Sequence, residues 1–338
     1  MGDDQNYCRR HLAPRAVFEH WATRRTDSCL RVTASNLVRR LARLRRLRMS
    51  GDPPQVPLLV VGSLVVGGAG KTPIAAFLAS RFSKSVKCAL VCRGWGGRLR
   101  DAKEVQVSDT VSAVGDEAIL LRQRLPAGVR VYAGQSLEAT RRLASRWADV
   151  VVSDDGYQTP ELRRTQQIVV HNPLEKDDVV PNGRLRESLE ALERADLRWA
   201  HLPTLSLAER ATNYLNYEVV SHYAISELVT THGQVLPVDW LCGRKVVAAC
   251  GLGYPESFVT LIERAGAQVT DLFLGGDHRM PRLREIKPYA RRQPVLITEK
   301  DAVKWPHAME AVVVKVEVKI LRGTRALDAK MLSLVGRT

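Results

Sequence analysis

The chain has 338 residues, with 51 Lys and Arg against 36 Asp and Glu, a formal charge of +15. Hydrophobic residues make up 45% and charged residues 26%, which excludes collagen-like, low-complexity and wholly disordered chains. The length suits one large domain or two modest ones, each able to bury a core.

No run reaches the roughly 18 uncharged apolar residues of a membrane-spanning helix. The opening MGDDQNYCRR lacks the basic flank and apolar core of a secretory signal, so a protein kept in the cytoplasm is expected. Cysteines 8, 29, 88, 92, 242 and 250 show neither CxxC spacing nor zinc-type grouping with histidine. Reduced thiols are expected, with Cys88 and Cys92 as small buried hydrophobes in an apolar run.

Residues 1 to 50 hold twelve Arg, no Lys and four acids (Asp3, Asp4, Glu19, Asp27), and so carry +8 of the total charge. Leu37, Leu41, Leu44 and Leu47 recur at helical spacing among Arg39, Arg40, Arg43, Arg45, Arg46 and Arg48, with Ser35 as N-cap. This is a basic amphipathic helix, ended by Gly51-Asp52-Pro53-Pro54. Such a helix fits an anionic membrane interface, nucleic-acid phosphates, or packing on the main domain with a solvated basic face.

Residues 57 to 75, PLLVVGSLVVGGAGKTPIA, read as strand, glycine loop and helix. Gly67, Gly68, Ala69, Gly70, Lys71 and Thr72 form the candidate phosphate-binding loop. Backbone N–H groups face the phosphates, Lys71 reaches the terminal ones, and the Thr72 hydroxyl serves Mg²⁺. The motif GxxxxGK[ST] is incomplete, because Val65 stands where its first glycine belongs. A second apolar run, 148 to 153, ends in Asp154-Asp155-Gly156. Carboxylates at a strand's carboxyl end beside such a loop suit Mg²⁺, although Asp and Gly are also ordinary turn residues.

Eight segments, taken in order, resemble the tetraacyldisaccharide 4′-kinase family, the lipid A precursor kinases: VGSLVVGGAGKTP at 61, CRGWGG at 92, VGDEAILL at 114, SDDGYQ at 153, PNGRLRES at 181, CGLGYPESF at 250, GDHRMP at 276 and TEKDAVKW at 298. The resemblance implies transfer of the ATP γ-phosphate to the 4′-hydroxyl of an acylated glucosamine disaccharide 1-phosphate, at the cytoplasmic face of the inner membrane. It implies a peripheral protein held there by the N-terminal arm, ATP and Mg²⁺ as cofactors, and no nucleic-acid partner.

By position, the resemblance makes Lys71 the phosphate-neutralising cation and Thr72, Asp154, Asp155 and Glu187 the metal shell, with Arg186 nearby. Asp116 becomes the base that accepts the hydroxyl proton, tuned by His278 from the other domain, and Asp277 supports that histidine or the metal. Phosphoryl transfer asks for this set: positioning, charge neutralisation and one carboxylate for the nucleophile. Plainer roles stay open: Asp116 as a helix cap, His278 as a loop residue and Glu187 as a solvated charge, while Lys300 and Asp301 suit an ion pair or cap as well as substrate contact. The chain departs from the family pattern at Ser63, Val65, Ala69, Thr159 and Tyr254, and reads GGDH where FPDH is usual.

The expected fold is α/β: an N-terminal arm (1–55), a P-loop domain with a parallel sheet (56–215), a β-ribbon linker (216–239) and a smaller C-terminal α/β domain (240–338), with the active site in the cleft. VVVKVEVKI at 312 to 320 is expected as a strand with one exposed face. The alternatives are a P-loop kinase or GTPase with another acceptor, and a degenerate noncatalytic homologue.

Overall fold

The computed structural model describes residues 53–65, 68, 70–173, 178–180, 183–202, 214–276, 279–306 and 308–336. The expected N-terminal helix lies outside them, as do Gly67, Ala69, Asp277 and His278. The fold is α/β, and the chain divides into two compact units. One takes the described residues up to Ala224 together with those from Val316 onward; the other takes Ile225–Lys315.

In the first unit, chain order runs β1 (Leu58–Ser63), α1 (Lys71–Phe82), β2 (Cys88–Cys92), β3 (Lys103–Glu104), α2 (Val111–Val114), α3 (Asp116–Arg124), β4 (Val129–Ala133), α4 (Leu137–Ala144), β5 (Val150–Asp154), β6 (Gln166–His171), β7 (Leu197–Leu202) and the start of β8 (Val219–Thr230). The spatial order is β8-β7-β6-β1-β5-β2-β4-β3. Neighbours pair in parallel except β3, which runs antiparallel to β4.

Strands β1, β2 and β5 are buried along their whole length. Their sequences LLVVGS, CALVC and VVVSD are apolar without alternation because helices cover both faces of a parallel sheet. Leu137 and Ala144 of α4 join Leu58, Val60, Ala89, Val91 and Val151 in one core cluster, each buried Leu or Val contributing about 1.5–3 kcal/mol. Cys88 and Cys92 are free and buried in β2, as expected for small hydrophobes.

The second unit contains β9 (Val235–Leu236), β10 (Lys245–Cys250), α5 (Pro255–Arg264), β11 (Gln268–Leu274), α6 (Leu283–Ala290), β12 (Val295–Thr298), α7 (Glu299–Ala302) and the start of β13 (Val312–Arg322). Its sheet order is β11-β10-β12-β13, all parallel. The segment expected as a linking ribbon is largely one long strand. The first half of β8 pairs with β7 in parallel, and the second half pairs antiparallel with β9, Leu228 opposite Leu236.

The expected C-terminal domain over 240–338 ends earlier: the described residues from Val316 belong with the first unit. Helix α8 (Thr324–Leu334) is tied there by an Arg81–Asp328 ion pair and a 3.1 Å hydrogen bond from Gln166 Nε2 to Ser333 Oγ. Strand alternation in 312–320 carried no information about that return.

Candidate active site

Helix α1 begins directly from the loop after β1. Gly70 occupies the left-handed region (φ 78°, ψ 14°) and caps the helix without a side-chain bond, leaving the first-turn N–H groups open to an anion. A Cβ here would come within 2.7 Å of the Tyr223 hydroxyl and 2.8 Å of His201 Cδ2, so backbone angle and space both require glycine.

Val65 has a different environment. It is fully buried with Leu64, Tyr157, Val179 and Leu185, and its N–H donates to Ser63 Oγ at 2.9 Å. Asp155 is the only non-glycine with positive φ among the described residues, so position 65 needs no glycine. The departures at Ser63 and Val65 thus form a local turn packed on an apolar cluster.

Asp154 ends β5, in register with Val61 of β1. Thr72 hydrogen-bonds its carboxylate and Lys71 attracts it, but burial and then the negative charge of Glu117 dominate, raising its pKa to about 7. Oδ1 of Asp154 is buried with no hydrogen-bond partner. Burial first, and then the charges of the same two carboxylates, hold the Cys92 thiol pKa well above its usual value. An orphaned carboxylate oxygen, a facing carboxylate and a threonine hydroxyl form an oxygen-donor set that fits a hard divalent cation.

Asp155 sits at φ 71°, a conformation costing on the order of 1 kcal/mol outside glycine. Its Oδ1 accepts from Gly156 N at 3.0 Å, and its Oδ2 lies 3.9 Å from Arg186 Nη1. Asp116 is buried at the first position of α3, where its Oδ1 accepts the Glu117 N–H at 2.9 Å. The CRGWGG and VGDEA segments meet backbone to backbone: a Cβ on Gly115 would lie 2.4 Å from the Trp95 carbonyl oxygen.

Glu187 follows Arg186 and is buried. Its Oε2 accepts from Arg194 Nη2 at 2.9 Å, and that guanidinium lies 5.7 Å from the centroid of the Tyr157 ring. Among the described residues no group of three His, Cys, Asp or Glu side chains is found that could hold a metal ion. Glu117 is the acid whose charge acts most strongly on Asp154. Sequence reasoning passed over it, although it follows Asp116 in the same motif.

A model of the tetraacyldisaccharide-1-P 4′-kinase family matches residues 28–336. The chain belongs to this family. It is 33% identical to a tetraacyldisaccharide 4′-kinase of Chlamydia muridarum (strain MoPn / Nigg) over 279 residues, 77% of this chain and 75% of that protein. With the enzyme of that name from Anaeromyxobacter dehalogenans (strain 2CP-C), identity is 34% over 310 residues and 81% of each chain. The fold is similar to the crystal structure of LpxK from Aquifex aeolicus in complex with ATP: TM-score 0.71, 24% identity, 90% of this chain and 98% of that one.

Within this member of the 4′-kinase family, Thr159, a departure from the usual pattern, accepts from Arg93 Nη2 at 3.1 Å. Asp301 is a structural residue. It is buried, its Oδ1 accepts Gly251 N–H at 3.0 Å, and its Oδ2 accepts the Thr298 hydroxyl at 2.6 Å. Its shared motif neighbour Lys300 lies in the same short helix α7.

Proposed function

We propose that the protein transfers the γ-phosphate of ATP to the 4′-hydroxyl of a tetraacyldisaccharide 1-phosphate. The observation that carries this reading is the meeting of Lys71 and Thr72 with Asp154, whose buried Oδ1 has no partner and which Glu117 faces. The names of the relatives supply the acceptor.

The N–H groups at the start of α1 bind the polyphosphate, and Lys71 neutralises its terminal charge. Thr72, Asp154 and Glu117 would hold Mg²⁺, which when bound supplies charge neutralisation to the transferring phosphoryl group. Asp116 accepts the proton of the 4′-hydroxyl as that oxygen bonds to the γ-phosphorus. The bond from phosphorus to the β–γ bridging oxygen breaks, and ADP leaves. Glu117 N–H, donating to Asp116 Oδ1, fixes the orientation of this carboxylate.

We further propose that residues 1–50 hold the protein on the anionic cytoplasmic face of the inner membrane through their arginines. Among the described residues no helix is long and apolar enough to cross a membrane.

The test is ³²P transfer from ATP to tetraacyldisaccharide 1-phosphate in detergent micelles, with Lys71→Ala and Asp116→Ala alongside. Labelled lipid from the parent protein, reduced at least ~10²-fold in both variants, is the expected result. Absence of labelled lipid from folded, ATP-binding protein would discard this acceptor.

A further inference from the structure

On the other side of β1 from Asp154, the adjacent strands β6 and β7 carry His171 and His201 near their carboxyl ends. His201 is almost fully buried. Its Nδ1 lies 2.8 Å from Ser221 Oγ, and Trp199 Nε1 lies 2.6 Å from that same oxygen.

These contacts assign the tautomer. An indole N–H only donates, so Ser221 Oγ accepts from Trp199 and has one hydrogen left to give. Were His201 Nδ1 also a donor, that buried hydroxyl hydrogen would have no acceptor. Ser221 therefore donates to Nδ1, and the imidazole proton sits on Nε2. This Nε2 is buried without a partner and lies 3.3 Å from the Cβ position of Gly70. The Tyr223 ring, 4.1 Å away at 65°, holds the imidazole in place.

An orphaned, fully buried N–H at the edge of a ligand loop marks a missing acceptor. The sheet order says which part of the ligand supplies it. Thr72, Asp154 and Glu117 gather on the β5 side of β1, so a nucleotide with its terminal phosphates there runs its nucleoside toward the ends of β6, β7 and β8. Burial, with the nearby His222, lowers the His201 pKa to about 3, so the ring is neutral near pH 7. It suits an uncharged acceptor rather than a phosphate.

We propose that His201 is a specificity-determining residue of the nucleotide site, its Nε2–H donating to a ring nitrogen of the purine base. This rests on the kinase reading above only in taking Lys71 and Gly70 as the phosphate end of the site.

The test is direct binding, by calorimetry, of ATP and of 1-deaza-, 3-deaza- and 7-deaza-ATP, each of which replaces one ring nitrogen by C–H. One of the three binds the parent protein about tenfold more weakly than ATP, as expected when a buried donor is left unpaired. In His201→Met, ATP binding falls by about the same factor and the gap between ATP and that analogue closes, while His201→Gln, which restores a donor, recovers ATP affinity.

Equal binding of all four nucleotides to the parent protein overturns the proposal and needs no variant to fold. An undiminished gap in His201→Met overturns it as well. Lys71→Ala separates the two readings. If it binds ATP like the parent, the phosphate site itself is misassigned; if it weakens all four nucleotides while the deaza series is flat, the error lies with His201 alone.

Discussion

On one side of β1, Asp154 ends β5 with Glu117 facing it, whereas on the other side His171 and His201 stand near the ends of β6 and β7. Both sides bury polar atoms without partners: Asp154 Oδ1 on the first, the Nε2 atoms of His171 and His201 on the second. Burial acts on the two in opposite electrostatic senses. It raises the Asp154 pKa to about 7 and lowers those of His171 and His201 to about 4 and 3, because in each case the charged form is disfavoured. Two carboxylates beside one lysine still leave an excess of negative charge that a cation relieves, while neutral imidazoles leave directed hydrogen-bonding groups. The β5 side of β1 thus gathers charge, and the β6 and β7 side gathers neutral hydrogen-bonding groups.

The largest effect that breaks this contrast is Asp154→Asn. Phosphoryl transfer falls by ~10²–10³-fold, while the melting temperature measured without Mg²⁺ rises, because a buried carboxylate facing Glu117 has been removed. A melting temperature that fell would show that Asp154 stabilises the fold rather than burdening it.

A pair of substitutions sharpens the assignment of the second acid. Glu117→Gln lowers kcat/KM by ~10–100-fold with little change in stability. Glu187→Gln leaves kcat/KM within about threefold and destabilises by about 1–2 kcal/mol in urea unfolding, since it breaks the partly exposed pair with Arg194. Reversal of that pattern would return Glu187 to the metal shell.

Val65→Gly restores the glycine of the phosphate-loop motif and is expected to cost about 2–3 kcal/mol, from lost burial against Leu185 and Leu64 and added backbone freedom. A variant as stable as the parent would mean that the packing at position 65 contributes nothing.

The smallest effect concerns pH. The folded-state pKa values of His171 and His201 lie below the usual 6.5, so as pH falls beneath 6.5 the unfolded chain takes up protons first. Their contribution is whole above pH 6.5 and is lost between 6.5 and about 4 and 3, at up to about 1.4 kcal/mol per pH unit for each histidine. Urea unfolding at pH 7.5 and 5.5 checks the sign: His171→Gln and His201→Gln each flatten the fall, and equal slopes in parent and variants would contradict it.

Gly70-Lys71-Thr72 and Asp154-Asp155 were legible because strand, loop and acid sit within a few residues of each other, and their chemistry follows from local order. Lys71, Thr72 and Asp154 do come together. Glu117 was missed because its effect on Asp154 depends on how α3 packs on β4 and α1, and nothing in VGDEA distinguishes it from a helix-start acid. The partner of Glu187 was hidden for the converse reason: RLRES reads as an acid among arginines, and only the turn at Leu189–Arg194 determines that Arg194 meets it. A signal for the histidines was present, in apolar strands ending VVH and WAHL and in VSHY near the start of β8, but three such histidines mean little until the sheet order sets them side by side.

Local chemistry, then, was in the chain itself: the turn that opens a helix onto an anion, the apolar runs that demand a doubly covered sheet, and the motif order that marks the 4′-kinase family. Which acids face each other, which ring nitrogen is left without a partner, and where the last 20 or so residues pack depend on strand order and register between segments far apart in sequence. Those choices are made by burial of the whole sheet, a many-body quantity that no short stretch of residues contains.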